Sequence, residues 1–164
     1  ADILTLTIDK AVEFFLEDKD NLLAAKITSK LQPLIKVGLG YLQLGQSSTT
    51  ISGGEAQRIK LAYYLTKGVN DKPTIFIFDE PSTGLHFHDI NKLNIALEEL
   101  VKFGHTVIVI EHHADIIKVA DWVIELGKEG GNEGGEITFT GTPEEMAKDD
   151  STQTGKYIKD KIIR

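Results

Sequence analysis

The chain has 164 residues, of which 41% are hydrophobic and 26% are charged, a composition typical of one globular domain. Its 18 basic and 25 acidic residues give a net charge of −7, which argues against a broad surface that neutralises nucleic-acid phosphates. The chain contains no cysteine, which excludes disulfides, thiolate-bound metals and a cysteine nucleophile within it. Because no apolar run approaches the ~20 residues of a membrane span, we expect a cytoplasmic protein with no membrane partner.

Helices are predicted for most of the first 65 residues. A threonine precedes Ile8 and has the side chain to cap a helix that begins there. Apolar residues at helical spacing predict a second helix over 22–35, and Pro33 inside this pattern predicts a kink or a restart. A polar loop at 46–50 then leads to a third helix, which begins near Ser52.

Apolar runs in the second half of the chain predict strands separated by helices. The buried strands cover 74–78, 106–110 and 122–126, and an alternating strand covers 136–140. The glycine-rich stretch 127–135 is therefore predicted to join a hairpin. Strands that alternate with helices indicate an α/β fold with a mainly parallel sheet covered on both faces. Trp122 opens an apolar strand, so we expect it in the core rather than on a surface that stacks a base.

Two carboxylates, Asp79 and Glu80, directly follow the first buried strand. Ligands of open α/β sheets bind at the carboxyl ends of the strands. An acid at this edge can hold Mg²⁺, usually through water, and its neighbour can orient or deprotonate a water that attacks a phosphate. Strands must end somewhere and often end in acids, so for this pair alone a purely structural role stays open.

The third helix begins with Ser52, Gly53, Gly54 and Glu55. Two glycines let a phosphate approach the backbone closely, and a helix N-terminus presents free N–H groups to an anion. An isolated Ser-Gly-Gly is more often a plain helix cap. Glu55 is ambiguous, because it suits capping but places negative charge near a phosphate site.

His112 follows the second buried strand and could donate a hydrogen bond to a phosphate oxygen, although a polar strand end explains it equally well. Arg58 and Lys60 lie on the third helix, and the sequence does not decide whether they face an interface or solvent.

The order of these motifs resembles the ATPase domains of the ABC superfamily. In that comparison residues 52–55 are similar to the signature motif, residues 75–79 to the Walker B strand, Glu80 to the catalytic carboxylate, residues 82–86 to the D-loop and His112 to the switch histidine. The resemblance implies a P-loop NTPase-type three-layer sandwich that uses ATP and Mg²⁺. It implies that Glu80 and His112 are catalytic residues and that Asp79 binds Mg²⁺ through water. It adds Ser52, Gly53, Gly54, Glu55, Asp79 and His86 as nucleotide-binding residues.

Longer stretches are similar to the UvrA family, the damage-sensing ATPases of bacterial nucleotide-excision repair. They read VGLGYLQLGQ at 37–46, TTISGGEAQRIKLA at 49–62, DEPSTGLHF at 79–87 and GTPEE at 141–145. Transporter ATPases usually carry Gln at the position of Glu55 and Asp at that of His86, so both residues favour the UvrA family. The resemblance covers nearly the whole chain and corresponds to the C-terminal part of the second ATPase domain.

The chain has no Gly-x-x-x-x-Gly-Lys-[Ser/Thr] sequence, which is the phosphate-cradling P-loop. In UvrA-like proteins that loop lies far upstream, beyond inserted domains of which one carries Cys-bound zinc. The chain is then a partial ATPase domain, and we expect the isolated segment to bind ATP weakly or not at all and to be inactive. Its predicted parts are a helical segment and loop at 1–50, the ATPase core at 51–148 and a polar, solvated tail at 149–164.

The resemblance also implies partners. Asp79, Glu80 and His112 would serve the nucleotide of their own domain, and residues 52–54 would reach the nucleotide held by a second ATPase half. The other partners that the resemblance implies are a homodimer partner, UvrB-type and UvrC-type subunits, and damaged duplex DNA that is contacted through other domains.

Three other hypotheses stay open at this point. The first is an ATPase half of a membrane transporter, which requires a surface that couples to transmembrane helices. The second is a chromosome-maintenance or double-strand-break repair ATPase, although the coiled-coil heptads expected to flank such halves do not occur in this chain. The third is a dimerisation module with no activity of its own.

Overall fold

The computed structural model describes residues 2–18, 20–67, 72–127 and 134–162. They form two compact units, Ala1–Ile110 and Glu111–Arg164. Most of the predicted glycine-rich turn, residues 128–133, lies outside the described residues. Among the described helices, none combines the length and apolar character needed to cross a membrane.

The first unit begins with a 3-10 turn, Asp2–Thr5, and two helices, α1 (Ile8–Leu16) and α2 (Leu22–Lys36). The predicted cap is confirmed, because the Thr7 side chain accepts a hydrogen bond from the Lys10 N–H. Helix α2 runs through Pro33 without restarting. The segment after α2 returns along the start of α1, where the N–H groups of Ile8 and Asp9 donate to the carbonyls of Leu42 and Gly40.

Helix α3 (Gly53–Leu65) is followed by β1 (Ile75–Asp79), α4 (Phe87–Lys102) and β2 (Thr106–Ile110). Strands β1 and β2 pair directly as a two-stranded parallel sheet, and α4 connects them along the chain. Phe76 and Phe78 of β1 are buried on the face that α3 and α4 cover. The apolar side of α4 is buried as well. This βαβ unit confirms the predicted parallel pairing.

The opposite face of this sheet is exposed among the described residues of the first unit. It carries Ile75, Ile77, Ile108 and Ile110, which are between 47% and 66% exposed. The described residues of the first unit therefore supply the predicted cover on one face of the sheet only. Within that unit the helices that cover the sheet, α3 and α4, both pack on the face of Phe76 and Phe78.

The second unit contains α5 (Ala114–Ile117), β3 (Val123–Leu126), β4 (Ile137–Gly141), α6 (Pro143–Met146) and α7 (Gln153–Ile162). Strands β3 and β4 form the predicted antiparallel hairpin. Met146 and Ile158 are fully buried at the centre of this unit, with Val123 and Phe139 packed against them. The prediction for Trp122 is wrong: its side chain is 58% exposed. It lies just before β3, on the side shared with Ile124 and Leu126, which are exposed too.

The last part of the described chain is helical and packed. One face of α7 buries Ile158, while Lys161 donates to the Asp115 carboxylate at 2.6 Å. The Glu125 carboxylate accepts from the backbone N–H of Thr154 at 3.3 Å, in the first turn of α7. The segment expected to be solvated is thus tied to α5 and β3 of its own unit, although its charged side chains lie at the surface.

Candidate functional site

The start of α3 is shaped by a capping box. The Ser52 side chain accepts from the Glu55 N–H at 3.3 Å, and the Glu55 carboxylate accepts from the Ser52 N–H at 2.7 Å. These two bonds satisfy donors that the helix itself leaves without partners. They leave Ser52 and Gly53 exposed at the tip of the helix.

Glu55 also accepts a hydrogen bond from the Tyr41 hydroxyl at 2.5 Å. This bond is the main reason why the pKa of Glu55 is lowered, and the nearby Arg58 cation lowers it further. Burial raises the pKa of Tyr41, and the hydrogen bond to Glu55 adds to the effect. The carboxylate whose role the sequence left ambiguous is therefore held by local donors at the helix start.

The two glycines at the start of α3 have different surroundings. A Cβ atom at Gly53 would meet nothing within 4 Å, so this backbone is open to an incoming group. A Cβ atom at Gly54 would lie 2.7 Å from the Thr83 carbonyl oxygen. Gly54 is therefore needed for close packing against the chain itself, whereas Gly53 is accessible from outside.

The carboxylates Asp79 and Glu80 are both exposed at the carboxyl end of β1. The Glu80 N–H donates to the Ile110 carbonyl at 2.9 Å, and the Glu80 carbonyl accepts from the Thr83 N–H at 3.0 Å. Glu80 has a φ of +46°, the left-handed conformation that non-glycine residues rarely adopt. Strain of this kind persists where the surroundings enforce it and is found at active sites.

Two residues of α3 connect it to this strained turn. The Gln57 side chain donates to the Asp79 carbonyl at 2.7 Å and accepts from the Asp79 N–H at 2.9 Å. Arg58 donates through Nη1 to the carbonyls of Pro81 at 2.7 Å and Thr83 at 3.1 Å. Sequence reasoning missed both roles. One signal was available, because Arg58 lies one helical turn after Gly54 and therefore on the same face of α3.

Arg58 faces neither solvent nor an interface, because its side chain is 0% exposed. Its Nε and Nη2 atoms have no hydrogen-bond partner among the described residues.

The two candidate histidines lie in different units. His86, in the first unit, is exposed immediately before α4, and its ring stacks on that of His88 with 5.5 Å between centroids. His112, in the second unit, follows β2, is exposed and donates its backbone N–H to the Glu111 carboxylate. In the first unit, Gln57 and Arg58 thus tie α3, which begins within residues 52–55, to residues 79–83. His112 is described with the second unit.

The Asp79 carboxylate suits Mg²⁺ as a single protein ligand. Among the described residues there is no cluster of three or more side chains able to hold a metal. Mg²⁺ usually keeps several waters and takes one or two carboxylates together with substrate phosphates. The exposed Asp79 carboxylate at the strand end fits that use.

Comparison with known proteins gives close matches along the whole chain, although no protein-family model matches it. UvrABC system protein A of Clostridium perfringens is 55% identical over 159 residues, which are 97% of this chain and 16% of that protein. The protein of the same name from Staphylococcus aureus strain COL is 52% identical over 164 residues, all of this chain and 17% of that protein. The chain thus spans about a sixth of the length of these relatives.

A solved structure agrees with these matches. The crystal structure of UvrA2 from Deinococcus radiodurans superposes with a TM-score of 0.81 and 42% identity, over 98% of this chain and 19% of that one. The fold and the order of the motifs define an ABC-type ATPase segment with a P-loop NTPase-type architecture. The identities along the full chain then narrow the class: the chain corresponds to a C-terminal region of the UvrA proteins.

Proposed function

We propose that this chain is the C-terminal part of the second ATPase domain of a UvrA-type protein. In the complete protein it binds and hydrolyses ATP, and this activity is coupled to dimerisation and to recognition of damaged DNA in nucleotide-excision repair. The observation that carries the proposal is the pairing of an open Ser52–Gly53 helix tip with exposed carboxylates at a strand end, within one unit of a chain 55% identical to a UvrABC system protein A.

The residues of the first unit divide into two groups in this proposal. Asp79 and Glu80 face the nucleotide of their own domain. Asp79 would hold Mg²⁺, and the ion would neutralise charge on the phosphates when bound. Glu80 orients the attacking water and accepts its proton. His112, in the second unit, donates a hydrogen bond to a phosphate oxygen.

The helix tip serves a different nucleotide. Ser52 and the backbone of Gly53 approach the phosphates of a nucleotide held by another ATPase half, and the positive end of the α3 dipole favours that contact. The close packing of Gly54 and the hydrogen bonds of Glu55 keep the tip in this shape. His86 belongs to the contact between the halves. ATP then bridges the halves, and loss of the γ-phosphate releases them.

The partners follow from the relatives, whose name places them in a UvrABC system. We propose UvrB-type and UvrC-type subunits, a homodimer partner and damaged duplex DNA that is contacted by other domains. The P-loop and any zinc belong to parts of the complete protein outside this chain, so the isolated segment has little or no ATPase activity.

Substitution of Glu80 tests the assignment. In the complete protein, Glu80→Gln should keep nucleotide affinity and remove most turnover at this site, because the amide cannot take a proton from water. The measurement is single-turnover hydrolysis with the second ATP site disabled, beside equilibrium binding of ATP. Turnover within about twofold of wild type would contradict the role of Glu80.

A further inference from the structure

Glu80 is bracketed by hydrogen bonds from α3. On one side, the Gln57 amide makes two bonds to the backbone of Asp79, at 2.7 and 2.9 Å. On the other side, the Arg58 guanidinium holds the carbonyls of Pro81 and Thr83 at 2.7 and 3.1 Å. The residues before and after Glu80 are therefore both fixed to the same helix.

The residue between these anchors is the one with unusual backbone geometry. At a φ of +46°, Glu80 would relax toward the ordinary right-handed or extended regions if its neighbours were free to move. Such a change would swing its side chain, which Thr83 Oγ1 contacts at 3.4 Å, away from its present direction. The anchors from α3 oppose that change.

Arg58 occupies an environment that is unfavourable for its own charge. It is completely buried, and Nε and Nη2 have no hydrogen-bond partner among the described residues. Glu55 lies close enough for the guanidinium to lower its pKa, so the cation has a nearby counter-charge. Residues that break a packing rule in this way are found where function requires them.

We propose that Gln57 and Arg58 are positioning residues that keep Glu80 in its left-handed conformation and so direct its carboxylate toward the attacking water. The inference rests on the proposed function, in which Glu80 performs the hydrolytic step. It also makes the helix tip at Ser52 and Gly53 part of the same rigid body as Glu80, because α3 carries both the tip and the anchors.

The test uses the complete protein with two variants of Gln57. Gln57→Leu keeps the volume and removes both bonds to Asp79, whereas Gln57→Glu keeps the acceptor for the Asp79 N–H and loses the donor. Lys60→Leu, on an exposed position of the same helix, is the matched control. Arg58→Lys is a further variant, because the lysine side chain is shorter and its ammonium would not reach the position of the single Nη1 atom that donates to both carbonyls.

We expect Gln57→Leu to lower kcat at least about tenfold, with a change in ATP Kd of less than about twofold, because a small misplacement of a catalytic group reduces rate rather than binding. Gln57→Glu should fall between Gln57→Leu and wild type, and Lys60→Leu should match wild type. A kcat of Gln57→Leu within about twofold of wild type, in protein whose thermal unfolding shows it folded, would overturn the proposal.

A double-mutant cycle separates positioning from a general structural role. If Gln57 acts through Glu80, Gln57→Leu should cause no further loss of turnover in a Glu80→Gln background. A full additional loss there would overturn the proposal, because Gln57 would then act independently of Glu80. Failure of the proposed function is distinguishable from both results, because Glu80→Gln alone would then leave turnover intact.

Discussion

The two glycines at the start of α3 make a matched pair for a stability experiment. A methyl group added at Gly54 would lie 2.7 Å from the Thr83 carbonyl oxygen and 3.4 Å from Arg58 Nη1. The first distance is shorter than a Cβ atom and a carbonyl oxygen can approach. The Thr83 carbonyl is also held by its hydrogen bond from Arg58, so either the start of α3 or the turn at Thr83 must shift. A methyl group added at Gly53 would meet nothing within 4 Å.

The magnitudes follow from these surroundings. Overpacking of a well-packed position costs about 1–3 kcal/mol. Replacement of Gly by Ala in a helix gains up to about 1 kcal/mol, and this gain should be similar at the two adjacent positions. Gly54→Ala should therefore be less stable than Gly53→Ala by about 1–3 kcal/mol, and Gly53→Ala should equal or slightly exceed wild type.

The assay is urea unfolding of both variants and wild type, monitored by circular dichroism. The free energies of unfolding are compared with the same dependence on urea concentration for all three proteins. Equal stability of Gly53→Ala and Gly54→Ala would refute the close packing of Gly54 against Thr83.

Two further predictions concern hydrogen-bonded carboxylates. Tyr41→Phe removes the bond that most lowers the pKa of Glu55 and should cost about 0.5 kcal/mol at neutral pH, since Tyr41 is half exposed. Stability from a lowered carboxyl pKa is present above the unfolded value and lost as the pH falls through the folded one. The difference in free energy of unfolding between wild type and Tyr41→Phe should thus become smaller below pH 4.5, the ordinary glutamate value. A difference that does not change with pH would contradict this cause. Lys161→Met should raise the lowered pKa of Asp115 part of the way to its ordinary value, because the bond from Lys118 remains. NMR titration measures that pKa, and an unchanged value would show that Lys161 does not stabilise the ionised form.

Local patterns allowed much of the fold to be predicted. The strand expected at 106–110 has those bounds in the structure, since a short apolar run between a helix end and polar residues has few alternatives. The cap at Ser52 follows from a Ser-x-x-Glu sequence, whose two hydrogen bonds are local.

Features that depend on distant segments were not predictable. Arg58 is buried because two carbonyls more than twenty residues away accept its bonds. Its position one turn after Gly54 indicates its face of α3 but not these distant partners. Trp122 was expected in the core because apolar residues follow it. A hairpin strand has two faces, however, and only the face of Val123 packs against Met146 and its neighbours. The left-handed conformation of Glu80 likewise depends on anchors outside its own segment.

ATP hydrolysis by the complete protein, measured without DNA, with intact duplex and with ultraviolet-damaged duplex, tests the repair function itself. A UvrA-type role predicts a rate that responds to DNA and differs between the damaged and the intact duplex. A rate that is the same in all three conditions would contradict the coupling of this ATPase to damaged DNA.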